Sequence, residues 1–286
     1  MDNVKLISEL KLPPTLFKYR YYRDSDKEKL VSQSVKSLLN NQIFIPSADT
    51  FNDPYDSAIP FRYNPNDLTE ENIFKKCLEL AKYKYPDATD TEVHKYAFDN
   101  QQKGLLNNPD HIDEFDRLNF EKSCRDFGIF CVTEDSLNTL MWSYYADSHK
   151  GICVGYNTEK LVSSELFGMG GKVIYRDDFP YIPLFPDERH HHFLDLFYTK
   201  WTVWEHENEY RLLHTYRNGK VHNIDSEIIS EVILGFRFKE EDKLLFVQQL
   251  LNTFPKVKIY EISLNKDKFE LKKKLIVDGS LLLNFR

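Results

Sequence analysis

The sequence predicts an α+β fold in a single domain over residues 1–286, with a helical insertion or lid at 65–125. Three observations predict it. Short runs of β-branched and aromatic residues recur, among them TLFKYRYY at 15–22, GIFCVT at 128–133, EVILG at 231–235 and VKIYEIS at 257–263. Residues 65–125 are instead polar, charged and helical in spacing. After Gly128 the strands and helices alternate too irregularly for a doubly wound parallel sheet.

In order, Pro13-Pro14 stops any helix in the lead-in, and Thr15–Tyr22 is a strand with Lys18 and Arg20 on one face. Residues 24–40 carry Leu30, Val31, Val35, Leu38 and Leu39 at helical spacing, with Asp24 or Ser25 as cap. Gln42–Pro46 is a short strand. The turn SADTFNDPYDS follows, fixed by the pre-proline residue and pinned by Phe51 and Tyr55, with Asp53 and Asp56 free to face a ligand. In the insertion, helices start near Asp67 or Thr69, Asp87 or Thr89, and Asp110. Gly128–Thr133 is apolar enough to be a strand buried on both faces. A short helix spans 135–146 with Ser136 as cap, Gly151–Tyr156 is the next strand, and Asn157 or Thr158 caps a helix to about 167. The glycine run 168–171 reads as a hinge before a strand at 172–176. Residues 187–199 read as a helix and 209–214 as a strand, with a hairpin signal at Asn218-Gly219. A strand at 231–235, a helix at 240–251 and strands at 257–263 and 269–277 complete the chain.

Aromatics make up 14% of the residues, so core volume is ample, while the net charge of −7 makes this a poor non-specific binder of nucleic acid. No apolar run approaches the ~20 residues that cross a bilayer, and MDNVKLISELKLPP carries no apolar signal-peptide run. We therefore expect a cytoplasmic protein, no membrane partner, and reduced thiols at Cys77, Cys124, Cys131 and Cys153, which show no CxxC spacing. Neither GxGxxG nor GxxxxGK[ST] is present. His190–His192 point in different directions on a helix and cannot chelate one ion together, so no metal is expected.

Four clusters carry candidate chemistry. Lys18-Tyr19-Arg20 offers an ammonium and a guanidinium fork to phosphate or carboxylate. The FNDPYD turn presents Asn52 and Asp53. MWSYYADSHKGICVGY, residues 141–156, gathers Trp142, Ser143, Tyr144, Tyr145 and His149 before a glycine, a mixture of aromatic, hydroxyl and imidazole groups suited to a pocket wall. WEHENEYR, residues 204–211, places Glu207 and Glu209 two apart, so that like charge raises at least one carboxyl pKa and supplies a general base or a sugar-hydroxyl acceptor. The competing interpretation of that stretch is a solvated acidic run beside Arg211.

The order LFKYR, IFIPSADTFNDPYDS, GIFCVTEDSLNTLMWSYYADSHKGICVGY, KWTVWEHENEYRLL resembles the bacterial DUF2971 family over roughly residues 15–215. The usual family form has His where Tyr144 stands. The motif order is also similar to ADP-ribosyltransferase-like folds, which implies a mixed, mostly antiparallel β core. By that resemblance NAD is the substrate. Arg20, supported by Lys18 and Tyr19, holds the pyrophosphate or ribose. Tyr144 or Tyr145 stacks on nicotinamide with Ser143 in support, and Glu209 or Glu207 stabilises the ribosyl cation. Two functions are expected in turn: an NAD-consuming ADP-ribosyltransferase or NAD glycohydrolase acting in phage defence or as a toxin, with nucleic acid only as an acceptor; or a non-enzymatic sensor of a defence system, with 65–125 as its protein-partner surface.

Overall fold

A computed structural model describes residues 5–6, 10–24, 31–104, 106–185, 196–215 and 219–282. The strands are β1 (Lys5–Leu6), β2 (Thr15–Arg20), β3 (Gln42–Ile45), β4 (Phe127–Thr133), β5 (Ile152–Asn157), β6 (Met169–Lys172), β7 (Ile174–Arg176), β8 (Thr199–Trp201), β9 (Glu209–Thr215), β10 (Lys220–Asn223), β11 (Ile229–Leu234), β12 (Lys258–Leu264) and β13 (Leu271–Asp278). The helices are α1 (Gln33–Leu39), α2 (Glu70–Lys84), α3 (Asp90–Gln102), α4 (Pro109–Asp126), α5 (Thr139–Tyr145), α6 (Thr158–Ser163), α7 (Glu240–Thr253) and α8 (Gly279–Leu282). The fold is mixed α+β, built on an open, mostly antiparallel sheet.

That sheet has the order β1-β6-β9-β4-β2-β5-β11-β12-β13, and within it β11 and β12 are the parallel neighbours. Alternation along β2 sends Leu16 into the core under α1 and α7, with Phe130, Val154, Phe246 and Leu250, and sends Phe17 and Tyr19 into the opposite core with Trp142, Cys153 and Ile233. Charged and polar groups cap the helices as their chemistry requires. Thr69 accepts from Asn72 N, and Thr89 forms a capping box with Glu92. The three helices of the insertion, α2 to α4, lie between β3 and β4; α2 and α3 close a small core around Ile73, Cys77, Ala97 and Leu106 with Leu184, while α4 packs Phe120 and Cys124 against the core of Ile129, Phe197 and Leu213.

The feature that matters for function is a fault in the sheet. β2 pairs with β5 along its whole length, from Thr15↔Asn157 to Arg20↔Ile152. On its other side it meets β4 only at Phe17↔Thr133, although β4 pairs with β9 from Phe127 to Thr133. Beyond that single pair the two halves of the sheet part. Side chains from both faces of β2 therefore border the opening.

A left-handed turn sets where β5 begins. Asp147, Ser148 and His149 have φ of 47°, 50° and 70°, a run that L-residues adopt only when their surroundings hold them there. His149 N donates to Trp142 O and Gly151 N to Ala146 O. A Cβ at Gly151 would lie 2.2 Å from Arg20 O, so only glycine lets β5 approach β2 at Arg20.

Several expectations are corrected. The helix expected over 135–146 begins at Thr139, capped by Asn138, because Asp135 spends its side chain on Leu137 N in a separate turn. The glycines at 168–171 are no hinge: β6 pairs with β9, and a Cβ on Gly170 would press on Leu212. The strand β10 after Gly219 pairs with β3 instead of folding back on β9 as a hairpin. The helix expected over 24–40 is helical from Gln33, capped by Ser32; Ser25 and Leu30 lie outside the described residues. Residues 187–195, with His190–His192, also lie outside them, and 199–201 form β8 rather than helix.

Candidate functional site

A cavity of about 300 Å³ fills the fault between β2 and β4. One wall is Lys18, Tyr19 and Arg20 of β2. The facing wall is Glu207, Glu209 and Lys200, with Asp56 and Asn52 from the FNDPYD turn and Tyr145 from α5. Phe44 and Phe51 add apolar surface. The volume stands at the lower end for small-ligand cavities.

The two walls differ electrically. On β2, the Lys18 ammonium bridges the fault to Cys131 O and lies 4.7 Å from the centroid of the Phe130 ring. Neither Lys18 nor Arg20 has an acidic partner among the described residues. Burial, with the neighbouring Arg20 charge, pushes the Lys18 amine down to about 7. Burial also lowers the Arg20 guanidinium from its usual value. Two cations that line a cavity and form no ion pair among the described residues make a candidate anion site, with the charges of Glu209 and Glu207 in the same lining acting on Lys18 in the opposite direction to its burial.

On the other wall, the charges neutralise one another. Lys200 Nζ reaches Glu207 Oε2 at 2.5 Å, Glu209 Oε2 at 3.1 Å and Asp56 Oδ2 at 3.3 Å. Arg211 has no exposed surface. Its Nε donates to Glu209 Oε1 at 2.8 Å, Nη2 to Asp56 Oδ2 at 2.8 Å and Nη1 to the Phe197 carbonyl at 2.6 Å. Tyr145 Oη donates to Glu207 Oε1 at 2.6 Å. The result separates two neighbouring carboxyls. At Glu207, burial outweighs Lys200 and the pKa rises. At Glu209, burial is overcome by Arg211 and Lys200, which hold the group well below the carboxylate range. Such a divergence assigns different proton roles to two adjacent acids. The geometry comes from an unusual backbone: Glu207 ends a short 3₁₀ turn, Asn208 is left-handed at φ 46°, and Glu209 opens β9. Both carboxylates converge on Lys200 by this kink, where the sequence pointed to a shared strand face.

The structure thus brings together Lys18, Tyr19, Arg20, Asn52, Tyr145, Glu207 and Glu209. It leaves five candidates outside the cleft. Trp142 is fully buried core, edge-on to Tyr19 at 5.2 Å, with Nε1 donating to Ser136 O. Ser143 donates to Thr139 O within its helix and lies 3.3 Å from His149 Nε2. His149 is buried, stacked on Trp142, with burial lowering its pKa. Tyr144 is 54% exposed on the outer face of α5, since one residue further along a helix turns the side chain by about 100°. Asp53 lies on the far side of Lys200 from the cleft, bordering another cavity. Missing from the sequence reading is the Lys200–Asp56–Arg211 network, and Arg211 is no neighbour of a solvated run. The available signal was a charged residue set inside the apolar alternation of EYRLLH.

Residues 141–212 match the family described as Protein of unknown function (DUF2971). No curated protein and no solved structure matches the chain. The matched stretch supplies Tyr145, Lys200, Glu207, Glu209 and Arg211, whereas the cations of β2 and the FNDPYD turn precede it. Among the described residues no helix is long and apolar enough to cross a membrane, and no cluster of His, Cys, Asp and Glu is arranged to hold a metal ion.

The lowered Lys18 pKa has a measurable consequence. Below about 7 the amine carries its charge, and above it the charge is lost. Affinity for sulfate, an anion of constant charge over the range, should fall several-fold between pH 6 and pH 8, by calorimetric titration, and Lys18→Met should flatten the dependence. A pH-independent affinity would show that Lys18 does not face the anion.

Proposed function

We propose that the chain is an NAD-consuming enzyme, an ADP-ribosyltransferase or NAD glycohydrolase, with NAD as substrate in the cleft between β2 and β4. One observation carries the reading: two cations that form no ion pair among the described residues share a cavity with two neighbouring glutamates, where a mixed sheet divides. A dinucleotide has the matching polarity, with an anionic pyrophosphate and a ribose that becomes cationic in the transition state.

In this reading Arg20 and Lys18 receive the pyrophosphate, and Tyr145, Tyr19 and Phe51 enclose the nicotinamide riboside. Cleavage sends the bonding pair of the nicotinamide–ribose bond to the nicotinamide nitrogen, which leaves neutral. The positive charge stays on the ribose. Glu207, at the cleft wall, stabilises it as carboxylate, an electrostatic effect that a preorganised low-dielectric site strengthens. Water, or an acceptor nucleophile, then adds to the ribose and gives up its proton to the Glu207 carboxylate, whose raised pKa suits it as the acceptor. Glu209, fully engaged by Arg211 and Lys200, positions Lys200 and through it Glu207. A phage-defence effector or toxin is the setting we infer for such an activity.

The deciding experiment incubates purified protein with NAD and follows nicotinamide release, with water alone and then with protein and nucleic-acid acceptors. Absence of release under every condition would sink the reading. One observation favours the non-enzymatic alternative: Tyr83 and Phe98 on the insertion helices are 89% and 54% exposed, as a partner-docking face would be.

A further inference from the structure

We propose that a second cavity, of about 280 Å³ and separated from the cleft by Lys200, binds a small organic cation bearing an ammonium or guanidinium group. Its walls are Asp53, Tyr55, Asp177, Asp178, Phe179 and Trp201.

Two independent observations carry the proposal. The first is a buried carboxyl group with one oxygen left unpartnered among the described residues. Asp53 is 7% exposed; its Oδ1 accepts from Tyr55 N at 3.0 Å, but Oδ2 is sealed from bulk water and has no hydrogen-bond partner. A buried carboxylate without a counter-ion is costly, and a cation in the adjoining cavity offsets that cost through a medium of low dielectric. The second is the aromatic lining. Tyr55 and Trp201 are 50% and 48% exposed, and Tyr55 and Phe179 meet at 5.8 Å between centroids. Aromatic rings lining a cavity with acids among them are how proteins hold alkylammonium and guanidinium groups. The wall already attracts one: the Arg62 guanidinium sits 5.2 Å from the centroid of the Phe179 ring, without lining the cavity.

The remaining charges agree. Asp177 is fixed at the rim by Trp201 Nε1 and Thr202 Oγ1. Lys200 borders the cavity but directs its ammonium to Asp56, Glu207 and Glu209. Arg176 also lines the cavity, where Asp53, Asp177 and Asp178 outnumber it. The acids do not form a metal-binding cluster among the described residues, and the aromatic walls suit an organic ion better than a hydrated one.

The proposal does not depend on NAD turnover, so it is tested without NAD. Agmatine, carrying both head groups, is titrated calorimetrically into the full chain beside N-butylacetamide, a neutral molecule of similar length. Agmatine should bind and the amide should not. Asp53→Asn, which retains the acceptor for Tyr55 N, should weaken agmatine at least about tenfold, and Tyr55→Ala, at an exposed ring, by several-fold. No agmatine binding up to about 10 mM, equal binding of the neutral amide, or full affinity in both variants would overturn it. Should Asp53→Asn fail to fold, Tyr55→Ala decides alone.

Discussion

Arg211→Met should destabilise the protein by about 3–5 kcal/mol, the cost of removing one member of a buried ion network. In a domain of this size that corresponds to a fall in Tm on the order of 10 °C, measured by calorimetry or circular dichroism. Arg211 has no exposed surface and is the main counter-ion of Asp56 and Glu209, each itself about 95% buried in its side chain. Without it, Lys200 alone must balance three carboxylates, and the carbonyl of Phe197 and the hydroxyl of Ser57 lose a donor. Adding Asp56→Asn should recover part of the loss, because one of the stranded charges is then removed. A loss below about 1 kcal/mol would mean that the network is relaxed or wet, a value typical of surface ion pairs, and the floor of the cleft would not be a fixed array of charge.

The parts of the fold legible in sequence are those dictated by neighbours in the chain. β2, β4 and β5 announce themselves by period and by β-branched residues, and α3 by a Thr–Glu capping box. What escapes is decided by distant segments. The glycines of β6 have poor strand propensity, and it is the packing of Gly170 against Leu212 that makes them a strand. The partner of β10 is β3, almost two hundred residues earlier, and no local turn rule reveals that. The same division runs through the site. The cations on β2 and the paired glutamates are visible as charges in strand-like runs. Tyr144 and Tyr145 are indistinguishable by chemistry, and the rotation of α5 alone turns the second toward Glu207 and the first to solvent. Trp142 and His149 carry the same functional groups whether they line a pocket or fill a core. Only the stacking between them, over Phe236, shows which they do. The role of Lys200 depends on three acids from two other parts of the chain, so no spacing rule contains it.

Glu207→Gln should reduce the proposed NAD cleavage about a hundredfold, equivalent to roughly 3 kcal/mol of barrier, while leaving the fold nearly intact. The two halves of that expectation come from different contacts. The amide oxygen of the substituted side chain still accepts from Tyr145, and Lys200 keeps Asp56 and Glu209, so thermal stability should change little. What disappears is the negative charge on the cleft wall, the feature assigned to the developing ribosyl cation. Glu209→Gln provides the contrast, because it breaks the paired contacts to Arg211 and strands a buried guanidinium. That variant should lose stability first, and any activity with it. The pair is informative because each glutamate is predicted to move a different observable: nicotinamide release for Glu207, melting temperature for Glu209. If a folded Glu209→Gln protein loses cleavage while Glu207→Gln retains it, the two roles are exchanged. If both fold and both retain it, neither carboxylate stabilises the ribose, and the reaction proposed for this cleft has no acid to support it.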